Sequence, residues 1–322
     1  MVILLMMAGV LIAGMLSGCG ESSAPATVRA AAPGSQDNLD QGLVDAIARA
    51  SYGTSPPGHP SLGWAELAPR IAAARSQLDK RPALDRPARS KDPLAERISS
   101  VQARTLSQAR QRAMVMRAEA ARLLARGTSD QSAQELVAML TLADVVAGWG
   151  TPASAETSAW IIASVLDALA QPDNAALSRA LSTGARARLR HGLSELDAND
   201  PAGRLRAITE TIAAREAAMR SRSEGPDGPV VVRGIASRYA PGADRATAEE
   251  LDRLMREAVA FSRAMADGWD KPSRPAITAR LRQRQAEDPT GVLVVLLGEA
   301  PDACDADAQL RERIGRMVER LR

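Results

Sequence analysis

The stretch that decides the fold is LAERISSVQARTLSQARQRAMVMRAEAARLLAR, residues Leu94–Arg126. It contains neither Gly nor Pro, and Leu106, Ala109, Ala113, Met116, Ala120 and Leu123 recur along it at three- and four-residue spacing. That period is the signature of an α-helix with one apolar stripe. Because the stripe is narrow and rich in alanine, partner helices can approach closely. Two are expected immediately downstream: 129–147, with Thr128 and Gln131 placed for a capping box, and 153–170, opened by Thr151-Pro152. The second contains WIIASVLDALA (160–170), apolar nearly all round, and is expected at the buried centre of a bundle.

Moving outward, helical spacing predicts further helices over 39–50, 62–78, 173–197, 201–221 with Asp200 as cap, 248–267 with Thr247 and Glu250 as capping box, and 307–321. Only 2% of residues are aromatic against 45% hydrophobic, so the core must be built from Ala, Leu, Ile, Val and Met, a composition that favours helices. Candidate strands are confined to Val230-Val231-Val232 and Val292–Leu297. For the second, Asp288-Pro289 repeats the Asp200-Pro201 opening and favours a short buried helix. The expected fold class is all-α, a multi-helix bundle or irregular helical array with at most one short strand pair.

Pro- and Gly-rich punctuation suggests the organisation: a signal peptide (1–18), a tether (19–38), a small helical pair with a Pro/Arg-rich linker (39–93), a main helical bundle (94–224), a Gly/Pro-rich connection (225–245) and C-terminal helices (246–322). Gly148-Trp149-Gly150-Thr151-Pro152 and Gly268-Trp269-Asp270-Lys271-Pro272 share G-W-x-x-P after helices of similar length. Either a helical unit is duplicated, or Gly and Pro punctuate two unrelated helix ends in the same way.

Of the 41 basic residues only Lys80, Lys91 and Lys271 are lysine. With a net charge of +3 this arginine excess, alongside abundant alanine, reflects nucleotide composition more than an acidic partner. The charge is unevenly spread, because 127–178 carries six acids and no Lys or Arg while 70–126 is basic. Neighbouring helices are therefore expected to complement each other.

Residues Val2–Met15 (VILLMMAGVLIAGM) are free of charge, and Leu16-Ser17-Gly18-Cys19 follows, then a polar stretch containing Ser, Ala and Pro. The run is short for a membrane span, which needs about 20 residues, and has the layout of an export signal. Its end resembles the lipobox of bacterial lipoproteins, although no Lys or Arg precedes the apolar run. The resemblance covers the first 19 residues. It implies that Cys19 is the site of lipid attachment, that cleavage precedes it, and that acyl chains, each buried methylene contributing about 0.8 kcal/mol, hold the protein on a membrane of the cell envelope. Gly20 stands where an inner-membrane retention aspartate would be, so the periplasmic face of an outer membrane is favoured if the host has one. Residues 20–38 then form a tether with a reach of about 25 Å.

The body offers little chemistry. Phosphate-loop, dinucleotide, nucleophile-elbow and zinc-protease patterns do not occur. His59 lies in a Pro-rich loop and His191 on a helix, and both read as solvated or capping side chains. Cys304 has Asp302, Asp305 and Asp307 around it, which should disfavour a thiolate; the same acids lack the glycine and distal glutamate of a calcium loop and suit a helix N-terminus. Asp267 and Asp270 flank Trp269 in the manner of a sugar hydrolase's paired acids, but aromatics for stacking are too few. No catalytic, cofactor or metal residues are assigned, and nucleic acid is not expected because no stacking platform exists. The leading expectation is a membrane-anchored, non-enzymatic helical scaffold or interaction module with envelope proteins as partners. The alternatives are a carrier for an apolar ligand and an enzyme using converging acids.

Overall fold

The computed structural model describes residues 64–79, 84–86, 100–170, 181–223, 234, 237, 246–298 and 300–322. All belong to one compact unit, Leu39–Arg322. The described residues are mostly helical and contain no strand. In chain order the helices are α1 (Trp64–Asp79), α2 (Ser100–Ala125), α3 (Ser129–Ala147), α4 (Pro152–Ala170), α5 (Thr183–Ser194), α6 (Arg204–Ser223), α7 (Ala248–Gly268), α8 (Arg274–Glu287), α9 (Val292–Leu297) and α10 (Ala300–Arg320). The chain is therefore an all-α array. Val292–Leu297 is helical, while 39–50 and 230–232 lie outside the described residues.

On α2 the expected stripe faces inward: Leu106, Ala109, Ala113, Met116 and Ala120 are buried, and Leu123 is half-buried. The α3 helix packs along it and is pinned by Ser132 Oγ, which donates to the Ala120 carbonyl at 2.8 Å. Thr128 does not cap α3 as its spacing predicts. Its hydroxyl donates 2.7 Å backward to the Leu123 carbonyl, and its N–H donates to the same oxygen. With Gly127 at φ +78° this is a Schellman closure of α2, so Thr128, the last of three residues between the two helices, serves the orphan carbonyls of the first. Thr247 does cap α7, accepting the Glu250 N–H at 3.1 Å while the Glu250 carboxylate accepts the Thr247 N–H at 2.9 Å. Thr247→Ala is expected to lower stability by about 1 kcal/mol in denaturant titration; a change within the error of the titration would remove that role.

Asp200-Pro201-Ala202-Gly203 and Asp288-Pro289-Thr290-Gly291 fold alike. Each glycine has positive φ, +71° and +66°. Each aspartate accepts the N–H five residues on, Leu205 at 3.0 Å and Leu293 at 2.8 Å. Because Gly203 is left-handed, α6 begins at Arg204 and not at Pro201 as expected, and Asp200 caps from outside it.

Among the described residues two large apolar cores form. The first is built from α2, α3, α4 and α5 with Leu196 and Ala202, and takes Leu310, Met317 and Leu321 from the second half of α10 and its end. The second is built from α6, α7, α8 and α9 and takes Ala300 and Cys304 from the first half of α10. Arg215 of α6, itself buried, donates to the Val295 and Leu296 carbonyls at 2.9 and 3.3 Å, satisfying the end of the short α9. A smaller cluster of Leu106, Ala109, Val146 and Trp149 receives Leu84, and Arg86 Nη2 donates to the Trp149 carbonyl at 3.0 Å.

The charge asymmetry of the sequence acquires a geometric meaning. Four of the six acids of 127–178 meet arginines from four other helices: Glu135 with Arg75 of α1 (3.1 Å), Asp130 with Arg188 of α5 (4.0 Å), Glu156 with Arg204 of α6 (3.0 Å) and Asp167 with Arg313 of α10 (2.6 Å). The α3–α4 hairpin, which carries no Lys or Arg, is an acidic hub that meets arginines from the helices around it. Most of these pairs reach solvent and contribute little energy individually. Their arrangement favours one placement of the surrounding helices over others.

Candidate functional site

Among the described residues a group of buried polar side chains lies where the chain crosses between the two cores. It crosses between Ala202 and Ile208, and again along α10 between Cys304 and Leu310. Asp200 stands just before the first crossing and caps the helix that makes it, and Asp307 lies within the second. Asp307 is 0% exposed. Its Oδ2 accepts the Trp269 indole N–H at 3.0 Å and lies 2.9 Å from Arg311 Nε. The second contact is an ion pair without hydrogen-bond geometry, since Nε is left with no hydrogen-bond partner among the described residues. Arg311 Nη2 donates instead to the Trp269 carbonyl at 2.8 Å, closing a ring through the indole, the carboxylate and the guanidinium. Asp307 Oδ1 likewise has no hydrogen-bond partner among the described residues.

Burial, reinforced by the negative charge of Asp200, pushes the Asp307 carboxyl up to about 6 against the opposing pull of Arg311, Arg204 and the indole. Asp200 is raised too, first by burial, although the Leu205 and Arg206 N–H groups, each 3.0 Å away, favour its ionised form. Exposed Asp197 adds a like charge to Asp200. The acids thus form a series from solvent to interior: Asp197, Asp200, Asp307. Arg204, 7% exposed, holds Glu156 through both carboxylate oxygens at 3.0 and 3.2 Å.

Two carboxyls raised together are the usual material of acid–base catalysis. Here they are already committed: Asp200 to the start of α6, and Asp307 to Trp269 with no surface at which a substrate could meet it. Their chemistry is that of a joint. Compared with family models, curated proteins and solved structures, the chain matches none of them.

The other residues singled out in the sequence are dispersed. Asp302 and Asp305 both bind Arg282 of α8, at 2.7 Å each. Cys304 is a buried free thiol raised first by burial, with the Thr278 hydroxyl 3.9 Å from its sulfur, so the carboxylates of Asp305 and Asp307 are the lesser cause that disfavours its thiolate. The α10 helix starts at Ala300, a full two turns ahead of its expected start at Asp307, so Asp302 occupies the first turn while Asp307 lies well inside the helix. Asp267 and Asp270 are exposed, and the indole between them is committed to Asp307. His191 is exposed with Nδ1 3.6 Å from Glu195 Oε1, whereas His59 and Cys19 lie outside the described residues. Among the described residues no group of three or more His, Cys, Asp or Glu side chains is placed to hold a metal ion, and no helix is long and apolar enough to cross a membrane.

Local spacing puts Asp307 at a helix start and gives no hint of its pairing with Trp269. A longer-range signal was present. Ala300, Asp307, Ile314 and Leu321 recur at seven-residue intervals, which puts a carboxylate on the apolar stripe of α10. A buried Trp also requires an acceptor for its N–H.

Proposed function

We propose that the protein is an envelope lipoprotein, held to a membrane by lipid on Cys19, whose helical body is a non-enzymatic scaffold or protein-interaction module. The observation that carries this reading is Leu16-Ser17-Gly18-Cys19 closing an uncharged run of export-signal length. Support for a scaffold comes from how the body uses its charged groups. The acids and arginines most suggestive of chemistry neutralise one another across helices, as in Arg282 with Asp302 and Asp305, and Arg284 with Glu257 at 2.7 Å. Such cross-helix pairs hold helices in fixed relation, as a docking platform requires.

Intact mass of the protein from membranes of its native host tests the anchor. A chain beginning at Cys19 and carrying acyl mass is expected, and Cys19→Ala should lose both the lipid and the membrane association. A full-length, unlipidated wild-type chain would overturn the reading. In a host with two membranes, fractionation is expected to place the protein with outer-membrane markers, and recovery with inner-membrane markers would refute that placement.

A further inference from the structure

We propose that Asp307, coupled to Asp200, is a proton-operated latch between the two apolar cores. Both residues stand where the cores meet. The chain passes from one core to the other at 202–208 and at 304–310; Asp307 lies within the second crossing, and Asp200, two residues before the first, accepts the Leu205 and Arg206 N–H groups inside it. The other buried positions of α10 are Ala300, Pro301, Cys304, Leu310 and Met317, but between Cys304 and Leu310 it buries a carboxylate with no exposure and, among the described residues, an orphan oxygen. An ionised carboxylate in that position is under-solvated, because among the described residues only Oδ2 has donors in reach. A proton on Oδ1 removes the charge without disturbing the indole bond on Oδ2, and Arg311 keeps its bond to the Trp269 carbonyl.

The groups that act on Asp307 come from several elements. Arg311 lies on α10 itself, Trp269 closes α7, Asp200 belongs to the crossing loop, and Arg204 opens α6 with its guanidinium turned to Glu156 of α4. From α8, Arg274 acts on Cys304, one turn before Asp307. Among the described residues the carboxylate whose charge acts most on Asp307 is Asp200, which is itself half-buried and disfavoured as an anion. Removing one of two like charges at the same joint relieves both.

Linkage sets the direction of the response. The folded state holds its proton up to about pH 6, whereas an unfolded aspartate has released it by about 3.8, so the joint tightens as pH falls through 6 and is loosest above it. Between pH 7.5 and pH 5 this amounts to about a tenfold change in the opening equilibrium.

Amide hydrogen exchange on the full chain, corrected for intrinsic rates, tests the latch. Peptides covering 200–210 and 302–312 are expected to gain about tenfold protection at pH 5 over pH 7.5, and Asp307→Asn, which keeps an acceptor for the indole, should abolish the gain. Asp200→Asn retains a capping side chain and should lower the midpoint of the change. An independent readout needs only wild-type protein, with Trp269→Phe serving to assign the signal: the Trp269 indole N–H resonance should titrate with a midpoint near 6. An indole resonance that does not move between pH 4 and 8, or a protection gain that persists in Asp307→Asn, would refute the latch. A midpoint unmoved by Asp200→Asn would refute the coupling.

Discussion

Trp269→Ala should destabilise the protein by about 4 kcal/mol, enough to remove a large share of the stability of a typical domain. Trp269 is the largest of the fully buried side chains, 1% exposed, and packs within the second core. Truncation removes the whole ring system from a close-packed interior, leaving a cavity that helices braced by cross-helix ion pairs cannot readily collapse. It also takes away the indole N–H from a carboxylate that already has one orphan oxygen. Trp269→Phe separates the two contributions, since it keeps most of the volume and loses only the donor; about half the alanine effect is expected. Denaturant unfolding monitored by circular dichroism provides the measurement. A loss below about 1 kcal/mol for Trp269→Ala, far short of what ring truncation costs in a packed core, would mean that the second core does not depend on this side chain.

Gly203→Ala is expected to lower stability by about 3 kcal/mol, because two penalties act together. Gly203 has φ +71°, a conformation that costs an L-residue roughly 1–2 kcal/mol. A Cβ there would also stand 2.8 Å from the Ala147 carbonyl oxygen and 3.1 Å from the Ala147 Cβ, against the end of α3, whose backbone cannot easily move. Gly127 supplies the control, because its φ is +78° but nothing lies within 4 Å of the position its Cβ would take. Gly127→Ala should therefore show the backbone penalty alone, about 1 kcal/mol. Equal losses at the two positions would mean that the contact with α3 is not the cause.

The fold class and several helix boundaries were legible in the sequence for physical reasons that are local. The α3 helix ends at Ala147 before Gly148, and α7 starts at Ala248 behind the Thr247–Glu250 capping box, as read from residues that act within a turn of where they stand. The buried stripe of α2 was legible because periodicity needs no knowledge of the partner. Thr128 misleads because its hydroxyl could serve either of two helices, and only the closure of α2 on Gly127 decides between them. The beginning of α10 falls earlier than expected because its apolar stripe is broken by Asp307, and a carboxylate on a stripe looks like a helix end until its partner from another helix is known. That partner, Trp269, is 38 residues away, and Asp200 lies on yet another segment. Complementary charge between neighbouring helices follows from composition, but the identity of each pair depends on topology.

A single helix, α10, completes both cores, and its ion pair with the acidic hairpin joins residues 146 positions apart. During synthesis the earlier helices can associate locally, yet neither core can close before Ala300–Arg320 has been made. A ribosome that stops short of this segment therefore releases a chain with two sticky interiors, which makes premature termination a sharper hazard here than in a protein whose halves mature independently. Proteases and chaperones would meet both unfinished interiors in a fragment that ends shortly before this segment, so for such fragments quality control turns on whether one amphipathic helix is present.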